Sequence, residues 1–338
     1  MRSRKVQRAV GNPGGAPGTL FPPFLNLVAP PWKYPEIQKW SLSVQREAWR
    51  NTSFSVAYVG TKGTHLLGAL TPNQVPTPNI QLVGGATSAD PFRPFRGYTN
   101  MTAFSTQFDS SYHALQMVLL HRLEHGLEFQ ASFTHSRSIT DSSGGFGAPP
   151  QDSNNIAAER GPAGNNVPNV LALNAIWDVP FFHNYHGARK VALDGWQIST
   201  LANIQSGFSL TPILIGFDNA GVGGSLQRPN QIGNPNNGPK TVAQWFNTAA
   251  FALPAPATFG NASNGVVKGP GAINWDMGLG KNFPIRESVG LRFRAQVFNV
   301  FNHPSFNSVD LGFQSPTFGQ VVGTLSPRIL QLALDLTF

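Results

Sequence analysis

The sequence predicts an all-β fold: an antiparallel, up-and-down transmembrane β-barrel segment of about nine strands, with long external loops. Three observations predict it. The last eleven residues, 328–338, alternate strictly, with Leu330, Leu332, Leu334, Leu336 and Phe338 on one face and Gln331, Ala333, Asp335 and Thr337 on the other. That period of two is the signature of a strand, and its length of about ten residues suits a lipid-facing barrel strand. Second, only 12% of the residues are charged, about half the share of an ordinary soluble domain, yet no run of about 18 apolar residues offers a membrane helix. A chain of this kind enters a membrane only as a barrel, which satisfies every backbone group between strands. Third, the segments between strands alternate short and long, as in outer-membrane barrels with tight turns on one side and extended loops on the other.

Taken in order, residues 1–36 are rich in Pro and Gly and read as an irregular segment, the tail of an external loop; 37–338 read as barrel. The first strand, 37–47, sets Trp40, Leu42 and Val44 against Ser41, Ser43 and Gln45. The second carries Phe54, Val56 and Tyr58, and a long connection follows over 60–111. The third, 112–122, is less clean, because Ala114, Val118 and Leu120 share its polar face with Gln116. Glu124-His-Gly126 turns the chain into the fourth, where Leu127, Phe129, Ala131 and Phe133 oppose Glu128, Gln130, Ser132 and Thr134. After a long connection, 137–168, the fifth strand bears Leu171, Leu173, Ala175 and Trp177. A moderate link leads to the sixth, with Trp196, Ile198, Ala202 and Ile204 on its apolar face. The third long connection, 207–271, precedes the seventh, with Ile273, Trp275, Met277 and Leu279. A turn over 282–288 gives the eighth, where Val289, Leu291, Phe293, Ala295 and Val297 oppose Arg292, Arg294 and Gln296. The last connection, 302–327, reaches the closing strand. One shared period places Trp40, Phe54, Phe129, Trp177, Trp275 and Phe293 on one side of the sheet, facing outward. An odd count that starts outside implies further strands upstream, because single-chain bacterial barrels have even strand numbers. Met1–Arg8 is basic, but the Gly- and Pro-rich stretch after it is no signal-peptide core, so the secretion signal is also expected upstream.

The net charge is +8 and the sequence pI about 10.0, but only Arg2, Arg4, Lys5 and Arg8 cluster, which argues against nucleic acid. Anionic lipopolysaccharide at an outer-membrane surface explains a basic chain equally well. Cysteine is absent, which excludes disulfides and thiolate metal sites. His183 and His186 stand three apart in a turn with no acidic partner nearby, and a metal site needs three or four ligands. His121 and His125 are divided between a strand and its turn. Asp218-Asn-Ala-Gly221 lacks the spaced carboxylates of a calcium loop and reads as an Asx-Gly turn. Asp152 and Glu159 share a loop without the marks of an acid/base pair. No nucleotide, nucleophile-elbow or zinc-protease motif is present, so no catalytic, cofactor or metal residue is assigned. Arg292, Arg294 and Gln296 are the candidate lumen-facing residues, with wet-face packing favoured over an anion path.

Several stretches together resemble the C-terminal part of the TonB-dependent outer-membrane receptors, in particular the Oar-like subgroup with a carboxypeptidase-regulatory-like domain. They are Gln38–Glu47, Val56–Gly60 with Gly63-Thr-His65, Gly195–Ser199, and Arg228-Pro-Asn230 with Gly233-Asn-Pro235. Trp245-Phe-Asn247 with Ala250-Phe251, Gly269-Pro-Gly271 with Asn274-Trp-Asp276, and above all Phe293–Pro304 complete the set. The resemblance implies a bacterial outer-membrane barrel of about 22 strands plugged by a separate N-terminal domain, of which this chain covers the last strands. It implies no enzyme activity and no cofactor. Its partners would be outer-membrane lipid and lipopolysaccharide, the barrel-assembly machinery, a scarce solute, and TonB through the N-terminal region. Leu332, Leu334, Leu336 and Phe338 are then the C-terminal barrel-assembly signal. Two other readings of the residues stay open: a surface adhesion module, and a soluble secreted β-rich carbohydrate-binding module.

Overall fold

A computed structural model describes residues 24–30, 32–76, 79, 90–95, 98, 100–142, 148–216, 218–222, 226–286 and 289–338. The basic cluster Arg2–Arg8 and most of the 1–36 segment lie outside them. Nine long strands run along one antiparallel sheet in chain order: β1 (Glu36–Trp49), β2 (Thr52–Leu70), β3 (Asn100–Glu124), β4 (Leu127–Thr140), β5 (Asn169–Asp178), β6 (Trp196–Gln205), β7 (Ala272–Arg286), β8 (Val289–Phe298) and β9 (Ile329–Thr337). Each pairs with its sequence neighbours, so the sheet is an up-and-down meander with β1 and β9 at its edges. Among the described residues those two edges do not pair, and the barrel wall is open.

Register carries one face across the whole sheet. Directly paired residues point the same way. Leu42↔Tyr58, Tyr58↔Leu115, Leu115↔His135 and His135↔Asn169 form one row. Trp177↔Ile198, Ile198↔Leu279, Leu279↔Ala295 and Ala295↔Leu332 form another. Trp40, Phe54, Phe129, Trp177, Trp275 and Phe293 all share this face, as the common period requires. It is apolar and uncovered: Leu42 is 72% exposed, Val44 67%, Leu332 and Leu334 64% each. A contiguous apolar sheet face of that extent does not stand against water. Aromatic rings meet across neighbouring strands of this face. Trp40, Tyr58 and His113 group together, with the Tyr58 hydroxyl 2.8 Å from His113 Nδ1. Nearer the turns, His121 stacks on Phe129, and Trp196 meets Phe293 edge-on. The opposite face is rich in Ser, Asn, Gln and Gly.

The hairpins at one end are tight. His125 (φ 50°) and Gly126 (φ 81°) both take left-handed backbone, the requirement of a type I′ turn between β3 and β4. The exception is the link between β5 and β6, which contains a short helix, α1 (Gly187–Leu193).

Two differences from the sequence reading concern the strands: several are longer, 137–140 included, and one is added. The stretch 60–70, assigned to a connection, continues β2, and β3 begins twelve residues before 112. Glycine misled the reading: Gly60 and Gly63 look like punctuation. In the sheet, Gly60 lies directly opposite Trp40, and a Cβ there would meet the indole at 2.1 Å. The glycine exists so that the ring can lie across the strand. At 25 residues, β3 is about 80 Å long if fully extended, far more than the ten or so residues a bilayer needs. The second difference is a strand, Phe24–Val28, in the segment read as irregular; it pairs in parallel with 100–104 of β3, above the point where β4 ends.

The long connections are not loose. Short pairings tie 209–210 to 267–268, 213–214 to 312–313, 230–231 to 251–252, and 306–309 to 321–324. Phe246, Ala250, Phe251, Ala262, Val267 and Val309 form a buried cluster, with Phe246 and Phe318 edge-to-face at 5.1 Å. Val75, Ala220, Val222 and Ala257 form a second. The first, third and fourth connections thus pack into one cap with two apolar cores, which the second joins through hydrogen bonds of Gln151 to Gln74 and Arg228. Phe338 follows Thr337, whose partner is Gly290 beside the β7–β8 turn, so the C-terminal residue lies at the end opposite the cap.

Candidate functional site

Where the cap meets the sheet lies an open cavity of about 910 Å³. The wall contributes Phe108, Ser110, Ser138 and Thr140, the last three on the polar face; the cap contributes Gln151, Glu159, Arg228 and Asn264. The strands fix the floor through their register, Ser110 pairing with Thr140. Asp141, immediately after β4, also lines it. Burial pushes the Asp141 carboxyl above its usual range, opposed by the Asp109 N–H bonded to it at 2.7 Å and reinforced by the Asp109 charge.

A buried polar network holds the cap side. The Arg228 guanidinium pairs with Glu159, the two side chains 5% and 6% exposed. The Asn264 amide donates to the Glu159 carboxylate at 2.8 Å and to its backbone carbonyl at 2.8 Å. Gln151 accepts from the Arg228 N–H at 3.1 Å and donates to the Gly260 carbonyl at 2.9 Å. The first long connection joins through the Gln74 amide, which donates to the Gln151 carbonyl at 2.6 Å. Residues from three connections are thus locked about one ion pair. The pair explains Glu159, which the sequence left without a role. The only prior sign was Arg228-Pro-Asn230, quoted as a motif without a partner; the 69 residues separating Glu159 and Arg228 hide their contact from any local pattern.

The candidate lumen-facing residues sit elsewhere. Arg292, Arg294 and Gln296 lie on the polar face of β8, near the turn end, around a recess of about 420 Å³ that Asp178 and Gln197 also line. Arg294 pairs with Asp335 of β9 at 2.9 Å and Arg292 donates to Asn282 at 3.1 Å. Both guanidiniums have partners on the wall. Leu332, Leu334 and Leu336 are exposed on the apolar face, and Phe338 is 96% exposed.

His183 has the acidic neighbour that the sequence reading denied it. Asp194, eleven residues on, lies 2.6 Å from its Nδ1, because the link folds back on itself. Among the described residues no three metal-binding side chains cluster. His121 Nδ1 is 2.7 Å from the Thr52 hydroxyl. Asp218 accepts from Gln227, and its carbonyl receives the Gly221 N–H at 3.2 Å, an ordinary turn.

Comparison with known proteins accords with this geometry. The family described as outer membrane beta barrel domain matches residues 4–331. No curated protein matches the sequence. Among solved structures, the outer membrane transporter YddB from Escherichia coli superposes with a TM-score of 0.52 at 12% identity, over 93% of this chain and 34% of that one. BauA, the ferric preacinetobactin receptor from Acinetobacter baumannii, gives 0.43 at 12% identity, over 89% of this chain and 29% of that one. The chain spans about a third of the length of these structures. At such identity the likeness concerns fold alone, and the family match assigns the compartment. With its exposed apolar face toward lipid and its polar face inward, the chain belongs to the outer membrane beta barrel domain family of the bacterial outer membrane.

Proposed function

We propose that the chain is part of the wall and the external cap of a TonB-dependent outer-membrane receptor that takes up a scarce solute. The observation that carries this reading is the cap itself. Four connections fold over the polar face into a structure with two apolar cores and a buried ion pair, and a cavity opens between cap and wall. Simple turns would serve a barrel that only fills membrane. A preorganised roof over the lumen end is what solute capture requires. The motifs resembling the TonB-dependent receptors, and the Oar-like subgroup within them, support the same reading. The cap lies outside the cell and the turns in the periplasm, Arg292, Arg294 and Gln296 face the lumen, and the C-terminal strand with Phe338 directs assembly. Energised transport would rest on TonB acting through a plug that these strands would surround.

Depletion of solutes from medium tests the proposal. Untargeted mass spectrometry of spent medium is compared between cells with the protein, cells without it, and cells lacking TonB. The reading expects a solute that only the first removes. Identical profiles in all three, with loss of surface attachment in the deletion strain, would favour adhesion instead.

A further inference from the structure

The link between β5 and β6 is longer than its fellow turns, and three side chains of the apolar face hold it. The Trp177 ring meets Phe181 edge-on at 5.6 Å. Trp196 Nε1 donates to the Ala192 carbonyl at 2.9 Å. Lys281, only 4% exposed, donates from Nζ to the Asp194 carbonyl while lying 5.2 Å over the Trp196 ring and 5.0 Å over Phe283. Trp177, Trp196 and Lys281 all belong to the face turned to lipid, as Trp196↔Lys281 and Trp177↔Ile198 require. The link therefore leans toward the membrane side of the wall and away from the lumen. Lys281 also caps the carbonyl end of α1, where a cation is favoured.

What the link then presents is apolar and basic. Phe181 is 68% exposed, Val191 61%, Tyr185 44% and Leu193 40%. Phe181, Phe182 and Tyr185 continue the ring contacts begun by Trp177. Arg189 and Lys190 are exposed and make no ion pair among the described residues, while the nearby Asp194 carboxylate faces His183. A seven-residue helix has no stability of its own in water, and an aromatic cluster continuous with a lipid-facing wall belongs at the headgroup level. Basic side chains beside such a cluster meet lipid phosphates.

We infer that residues 179–195 form an interfacial anchor that lies in the headgroup layer and binds anionic phospholipid through Arg189 and Lys190. The occupant is the leaflet at the turn end of the barrel, in the orientation proposed above the periplasmic one. Its contact with lipid does not depend on transport.

The chain has no cysteine, so once any cysteine elsewhere in the protein is replaced by serine, single nitroxide labels report these positions alone. The protein is isolated from outer membranes and placed in nanodiscs of phosphatidylcholine alone or mixed with phosphatidylglycerol. Labels at Val191→Cys, at Leu173→Cys on the wall and at Val242→Cys on the cap are compared by their accessibility to oxygen and to a water-soluble nickel chelate. The label at 191 is expected between the other two, at the depth of the headgroups, and deeper in the anionic discs. Arg189→Gln with Lys190→Gln is expected to abolish the difference between the two disc types. A label at 191 as open to nickel as the cap label in both discs would overturn the anchor. Equal depth in both discs for the unsubstituted link would overturn the recognition of anionic lipid. Water at Leu173 would instead overturn the membrane wall on which the inference stands.

Discussion

Replacing Arg228 by Met should unlock the cap. The guanidinium and the Glu159 carboxylate are 5% and 6% exposed, so neither charge is screened by water. Removing one partner strands the other, and breaking a buried pair costs about 3–5 kcal/mol. Here Glu159 keeps two further donors, the Asn264 amide at 2.8 Å and the Gln151 N–H at 3.3 Å. These place the cost near the lower end, about 3 kcal/mol. With a urea slope of about 2 kcal/mol per molar, the midpoint of cap unfolding falls by about 1.5 M. Trp245, which packs against the larger cap cluster, provides the fluorescence signal for the assay. The pair replaced together, Arg228→Met with Glu159→Leu, should recover most of the loss, since apolar residues of similar volume often substitute for a buried ion pair at little cost. A double variant as unstable as the single one would refute this reasoning, because the stranded carboxylate would then not be the source of the loss.

Gly60→Val should destabilise the wall by about 1–3 kcal/mol of overpacking, read as a lower urea midpoint in detergent, because its Cβ meets the Trp40 indole at 2.1 Å; adding Trp40→Ala should relieve it. Asp141→Asn should raise the thermal midpoint of the cap at neutral pH. Its carboxyl is raised by burial, so ionisation costs the folded state; the difference from the unsubstituted protein should vanish as pH falls toward the ordinary value of 3.8. In planar bilayers, isolated 1–338 should give no uniform single-channel steps, because the unpaired edges of β1 and β9 leave backbone groups unsatisfied in hydrocarbon. Both of those strands run from the cap to the turn end, so joining them would make a parallel pair in an antiparallel wall.

The wall was legible because lipid imposes a strict period of two on every strand it touches. Even β3, with Val118 and Leu120 on its polar face, fell into register once Ser132 and Gln130 were paired opposite. Strand ends were not legible, because glycines such as Gly60 serve an aromatic neighbour on another strand and imitate turn signals. The cap was illegible for a different reason. Its strands are mostly two residues long, too short for any period, and its cores join residues from separate connections, Val75 with Val222 and Phe246 with Val309. The helix of the β5–β6 link is likewise held by Lys281, 87 residues beyond Asp194, which no local sequence window includes with it.

Vectorial labelling in intact cells shows on which side of the outer membrane the cap lies. Single cysteines are placed at Val242 in the cap and at His125 in the β3–β4 turn, and exposed to a maleimide that cannot cross the outer membrane. Labelling is expected at 242 in intact cells, and at 125 only after the membrane is permeabilised. Labelling at 125 in intact cells with protection at 242 would contradict the proposed orientation, since the cap would then face the periplasm and could capture nothing from outside.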